Sequence, residues 1–258
     1  MDAGVIVNSR DGVTRIRFDR PESRNSLTRS VCTALRAALR AADAEADATC
    51  RSVVLEGSGG SFASGADLAE LDALIHKPDE LIAQYRELRC TQEMLYELGK
   101  PTVASIDGFC FGAGLSLALA CDLRIATSRS VFAAPPARLG LLYSDSEVRR
   151  LASRIGSARA RDLLFTGRRV DAEEALRLGL IERLTDLQSL EAVVEETLAG
   201  IAECSPVSVR KTKQQLLRLE RAGSLEPPDD AEAEAAFFQP DAAEGIAAFL
   251  ERRRPRFS

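Results

Sequence analysis

Apolar positions along the chain fall into short runs separated by glycine, proline and small polar residues. Over residues 12–18, Thr14, Ile16 and Phe18 alternate with Arg15 and Arg17, and this period of two predicts a half-exposed strand that ends at Arg20-Pro21. Val31, Leu35 and Leu39 share one face at helical spacing, so a helix follows, capped by Ser26 or Thr28. Residues 43–49 form a polar connector before a strand over 52–56 with Val53, Val54 and Leu55 at its centre. An amphipathic helical region spans 71–98, interrupted near Lys77-Pro78. Residues 101–106 read as a buried strand. Residues 115–120 read as a buried helix, because they are almost entirely Leu and Ala. Short strands over 123–126 and 130–133 lead through the turn 135–141 into a helix that Ser144 or Asp145 caps and that runs to Ile155. Helices follow over 158–165 and 172–178, the second bounded by Asp171 as cap and Gly179 as terminator. Two more cover 187–202 and 207–221, with Pro206 opening the latter. Residues 223–230 form a proline-containing linker before a helical tail. Alternating strands and helices with a helical end predict an α/β chain: a core over 1–200 and a C-terminal helical segment over 201–258.

Two strand-to-helix turns carry the candidate chemistry. The first is Phe62-Ala63-Ser64-Gly65-Ala66-Asp67-Leu68. The second is Asp107-Gly108-Phe109-Cys110-Phe111-Gly112-Ala113-Gly114, opening the apolar helix. Glycine admits left-handed backbone and close approach. A helix start also leaves backbone N–H groups without partners, in the positive end of the helix dipole. Two such turns can aim one N–H each at a single oxygen that gains negative charge. The second turn's Gly-x-x-x-Gly-x-Gly spacing does not fit a dinucleotide loop. Glycines that merely let the helix pack closely are the plain alternative.

Composition narrows the function. The formal charge is −5 with both signs interspersed, and no long basic run points to nucleic acid. No apolar run reaches membrane length, and the first residues lack the basic start and apolar stretch of a secretory leader. Six cysteines without a Cys-x-x-Cys pair imply reduced thiols in a cytoplasmic protein, and with one histidine a metal site is not expected. That histidine, His76, lies beside the Lys77-Pro78 break with nothing local to orient its ring, and reads as a solvated loop residue.

Both turns are similar to the two signatures of the crotonase superfamily, the enoyl-CoA hydratase/isomerase group. The likeness runs from Arg20-Pro21-Glu22 to Ala248-Phe249-Leu250-Glu251. It implies a spiral of ββα repeats, a C-terminal segment used in a homotrimer or dimer of trimers, and an acyl-CoA or acyl-carrier thioester substrate. No cofactor is implied beyond the coenzyme A moiety. By position, the N–H groups that would hold the thioester oxygen belong to Ala66 and Ala113. The segment Arg20-Pro21-Glu22-Ser23-Arg24-Asn25-Ser26-Leu27 resembles the family's nucleotide-contacting stretch. It nominates Arg24 for the coenzyme, with backbone at Ala63 and Asp67, while Arg252 in the basic tail would reach a neighbouring subunit's ligand.

The resemblance also shows a departure. Ser116 and Pro136 fall where hydratases of the family carry two glutamates, and neither can act as a carboxylate acid or base. Proton transfer is then assigned to Tyr143 or Asp145 in the turn after Gly140, with Glu147 as a further candidate and Ser116 as a residue that could retain a water. The segment from Pro136 to Tyr143 is similar to that of methylmalonyl-CoA decarboxylase. The reaction implied is decarboxylation, double-bond isomerisation or carbon–carbon bond chemistry rather than standard hydration. A non-catalytic acyl-CoA binder or oligomeric partner protein is the competing reading, and RNA binding a third.

Overall fold

Two antiparallel strands, β1 (Val5–Arg10) and β2 (Val13–Phe18), open the chain, paired from Val5 with Phe18 to Arg10 with Val13. The computed structural model describes residues 3–44, 50–222 and 231–257. The connector residues 45–49 and the linker 223–230 thus lie outside the described residues. Thr28 accepts from the Val31 N–H and starts α1 (Arg29–Asp43), whose Val31, Leu35 and Leu39 face inward as their spacing predicts.

From there a unit recurs: a long strand, a short strand, then helix. The first is β3 (Ser52–Gly57), β4 (Ser61–Ala63), α2 (Leu68–Leu74) and α3 (Pro78–Glu97). The second is β5 (Thr102–Ile106), β6 (Phe109–Phe111) and α4 (Ala113–Ala120). The third is β7 (Leu123–Thr127), β8 (Val131–Ala133), a 3-10 turn over Pro136–Leu139, α5 (Asp145–Ile155) and α6 (Ser157–Thr166). Then come β9 (Arg169–Asp171), α7 (Ala172–Leu178), β10 (Arg183–Thr185), α8 (Leu190–Ala202) and α9 (Pro206–Ala222). The chain ends in α10 (Ala231–Ala236) and α11 (Pro240–Leu250).

The long strands form one sheet in the order β1-β2-β3-β5-β7-β10, and the short ones a second in the order β4-β6-β8-β9. From β2 to β10 the first sheet is parallel. Alternation within β3, β5 and β7 sends Val54, Val103 and Ile125 against α8, while Val53, Leu55, Ala104, Ile106 and Ala126 join the main core. Helix α4 is buried at every residue, which explains its apolar circumference. Its C-terminal end is held by the fully buried Arg124, which donates to the carbonyls of Ala118 and Cys121 at 3.3 and 2.8 Å and pairs with Glu182. A cation at that end also complements the helix dipole. Helix α9 is tied to the core through Lys213 on Asp122 at 2.7 Å and Glu220 on Tyr96 at 2.5 Å. No helix among the described residues is long and apolar enough to cross a membrane.

Candidate active site

The sheet topology carries both glycine turns to one place. β4 and β6 are parallel neighbours, so the segments leaving them, residues 64–67 and 112–114, run side by side. Gly65 sits at φ +111°, and a methyl on it would lie 3.1 Å from the Phe111 carbonyl oxygen and 3.6 Å from the Ala113 nitrogen. The turn therefore needs glycine both for its backbone angle and for contact with the neighbouring loop. Ala66 makes an isolated parallel bridge to Leu27, in which Leu27 N donates to Gly65 O at 2.8 Å and Asp67 N to Leu27 O at 3.2 Å. Successive N–H groups of an extended chain point to opposite edges, so the Ala66 N–H faces away from Leu27. Ala113 is the first residue of α4, and its N–H has no acceptor within the helix. Neither N–H donates to another acceptor among the described residues. Two unpartnered amides on abutting loops, one at a buried helix start, form a ready binding place for an oxyanion.

Behind Ala113 lies a polar cluster inside an otherwise apolar core. The Tyr143 hydroxyl donates to the Gly112 carbonyl at 2.9 Å. That carbonyl and the Ala113 N–H are opposite edges of one planar trans peptide, so the phenol fixes the direction of the N–H. Burial pushes the Tyr143 phenol far above its ordinary range, the Glu147 charge adds to this, and the Ser116 hydroxyl opposes it. Ser116, 1% exposed, donates to Glu147 Oε1 at 2.7 Å. Glu147 is 6% exposed. Its Oε1 also accepts from Gln92 Nε2 at 3.3 Å, and its Oε2 accepts from the N–H and hydroxyl of Ser144 at 2.9 and 2.8 Å. Ser144, not Asp145, is the cap of α5, in a capping box with Glu147.

Residues 8–258 match the model of the enoyl-CoA hydratase/isomerase family. The chain belongs to this family. YngF of Bacillus subtilis, by name an enoyl-CoA hydratase/isomerase, is 35% identical over 93% of this chain and 92% of its own length. EchA8 of Mycobacterium tuberculosis, by name an enoyl-CoA hydratase, is 31% identical over 98% of this chain and 97% of its own. A solved enoyl-CoA hydratase/isomerase family protein from Hyphomonas neptunium superposes with a TM-score of 0.91 at 31% identity, covering 99% and 97% of the two chains. The recurring strand–strand–helix unit is thus the ββα repeat of the crotonase fold.

Within this crotonase fold the sequence-predicted residues separate. Ala66 and Ala113 come together, and Tyr143 joins them from behind. Asp145 is the first residue of α5 and is exposed, apart from the buried cluster. Arg24 is exposed, lies at φ +52°, and rests over the Phe109 ring at 5.0 Å, on the segment that bridges to Ala66. Ala63 is fully buried in β4. The Asp67 N–H is taken by Leu27 O and its carbonyl accepts from Leu71 N, which leaves this backbone no free donor for a coenzyme. Its carboxylate instead accepts from Ser26 Oγ at 2.7 Å, from Glu70 N at 3.1 Å and from Arg20 at 3.4 Å. Those bonds outweigh burial and hold its pKa below the ordinary value. Asp67 therefore braces the first glycine turn against the Arg20–Leu27 segment. Arg252 lies just past α11, at φ +56°; its neighbours Arg253 and Arg254 pair with Glu244, Glu251 and Glu203, all outside the glycine turns. His76 is exposed in the break between α2 and α3. Glu147, placed behind Tyr143 and Asp145 from sequence, is the carboxylate that accepts from α4, through the Ser116 hydroxyl.

Proposed function

We propose that this family member binds an acyl-CoA, or the equivalent carrier-bound thioester, and stabilises its enolate between the N–H groups of Ala66 and Ala113. The observation that carries the proposal is the contact of the two glycine turns beside those amides. Each such donor contributes about 2.7–4 kcal/mol to the barrier where one has been removed from an enzyme. Both donors are backbone, so the enolate chemistry survives loss of side chains elsewhere.

Standard hydration needs two carboxylates to position and split water, and Ser116 and Pro136 supply neither. The reading therefore favours reactions that pass through the enolate with fewer proton groups: decarboxylation, double-bond isomerisation or carbon–carbon bond chemistry. Tyr143 supports the site by holding the Gly112–Ala113 peptide. Arg24 is the cation for the coenzyme phosphates. Exposed Phe237, Phe238 and Phe249 suit the C-terminal segment to a trimer contact, from which Arg252 would reach a neighbour's coenzyme.

A panel of malonyl-, methylmalonyl-, enoyl- and β-keto-CoA thioesters tests the reading. Turnover of at least one, with crotonyl-CoA hydrated far more slowly, is the expected result. Hydration of crotonyl-CoA at a rate typical of two-glutamate enzymes would overturn the reaction class. Binding with no turnover across the panel would favour the non-catalytic binder.

A further inference from the structure

We propose that Glu147 is the proton-holding carboxylate of this site and works through the Ser116 hydroxyl on the α-carbon of the bound thioester. The inference rests on the enolate reading above and supplies the proton group that reading lacks.

Four observations lead to it. A capping box occupies only one carboxylate oxygen, here Oε2 on Ser144; Oε1 turns the other way and meets Ser116 at 2.7 Å, across a sequence separation of 31 residues. The donors to Glu147 among the described residues are all neutral: Ser116, Gln92 and the two groups of Ser144. Ser116 stands one turn beyond Ala113 on α4, and helical side chains lean toward the N-terminus, so its hydroxyl reaches back toward the oxyanion amides. The alternatives are occupied or remote: the Tyr143 proton goes to Gly112 O, and Asp145 is exposed.

In the step this permits, the α C–H bond breaks and its electron pair forms the enolate double bond. The carbonyl π pair moves onto the oxygen held by Ala66 and Ala113. The proton passes to Ser116 Oγ as the Ser116 proton moves to Glu147 Oε1. Running the transfers backward returns the proton to the α-carbon, or to the γ-carbon of a dienolate two bonds away. No oxidant or second base is required. The substrate class is therefore an enolisable acyl thioester with a β,γ double bond, shifted into conjugation by a single shuttle.

The experiment compares wild type with Glu147→Gln, Ser116→Ala and the double variant. Butyryl-CoA in D2O reports α-proton exchange by NMR, 3-hexenoyl-CoA reports isomerisation, and carbonyl-13C butyryl-CoA reports binding and carbonyl polarisation. Glutamine serves a capping box as well as glutamate, so Glu147→Gln should fold normally. Should it not, Ser116→Ala carries the same test. Both single variants should exchange at least about 100-fold more slowly. Dissociation constant and carbonyl shift should stay unchanged, and the double variant should be no slower than either single one. Glu147→Gln exchanging at the wild-type rate overturns the relay and leaves the oxyanion reading intact. So does a wild type that polarises the carbonyl without exchanging any α-proton. A wild type that leaves the carbonyl unpolarised overturns both.

Discussion

Replacing Gly114 with alanine tests whether the close seat of α4 on β4 is what aims the Ala113 N–H. A methyl at this position would lie 2.4 Å from the Ala63 carbonyl oxygen, 2.8 Å from its Cβ and 3.0 Å from its carbonyl carbon. Ordinary contact begins at 3.4 Å, so the shortfall against the oxygen is about 1 Å. Backbone and a methyl group are all that the new atom meets, and neither can swing aside. The rest of α4 is buried and clamped at its far end by Arg124, so the displacement falls on the first turn. Alanine gains about 0.8–1 kcal/mol of helix propensity over glycine, against about 1–3 kcal/mol for overpacking. The balance predicts net destabilisation, read as a lower urea midpoint. A misplacement near 1 Å costs about 10²-fold in rate, and complete loss of one oxyanion donor about 10²–10³-fold. Thioester α-proton exchange should therefore fall by about 10²–10³-fold, with a smaller 13C shift of the bound carbonyl and a lesser change in coenzyme A affinity. Gly200, on α8, supplies the control: nothing lies within 4 Å of its added methyl. Alanine there should stabilise by about 0.5–1 kcal/mol and leave exchange untouched. Wild-type exchange and carbonyl shift in Gly114→Ala would refute the link between the seat and the amide.

Tyr143→Phe removes the hydrogen bond to Gly112 O. It should cost about 0.5–1.5 kcal/mol of stability and reduce the bound-carbonyl shift, whereas Asp145→Asn on the exposed start of α5 should alter neither. Asp67 and Asp107 titrate below their ordinary values, Asp67 as described and Asp107 chiefly through its hydrogen bond with Arg129. A depressed folded pKa gives stability that is complete above the unfolded value near 3.9 and lost as pH falls through the folded one. Acid unfolding should accordingly steepen below about pH 4, and Asp67→Asn should flatten it, as urea midpoints across pH would show. Thiol reagents should label Cys90 and Cys204 rapidly in the native protein and Cys32, Cys50, Cys110 and Cys121 only on unfolding. Burial pushes the Cys32 and Cys121 thiols up to about 12 and Cys110 well above its ordinary value.

What could be read from the sequence was whatever local chemistry fixes. Helix α7 begins after Asp171 and ends before Gly179, as predicted, because cap and terminator are neighbours in the chain. Thr28 and Pro206 mark helix starts for the same reason. Strands β4, β6 and β9 have three residues each, too few for a period, and exist because partners far along the chain complete their ladders. The two glycine turns stood out because each sets small residues between an apolar strand and a helix, whereas their meeting depends on the pairing of β4 with β6. Glu147 was harder. Ser144 and Glu147 three residues apart spell a capping box, and that local explanation is true. Only the fold shows that the same carboxylate has a second oxygen on another helix.

The hold that Tyr143 has on the Gly112–Ala113 peptide has an optical consequence. The chain contains three tyrosines and no tryptophan, so phenol emission is not masked by indole. One of those phenols grips the far edge of the amide that would hold the enolate. Charge arriving at the Ala113 N–H pushes electron density across the peptide onto Gly112 O and strengthens the bond that Tyr143 makes to it. On the proposed function a thioester held at Ala113 would thereby act on an intrinsic fluorophore, and titrating the unlabelled protein with one should change its ultraviolet emission.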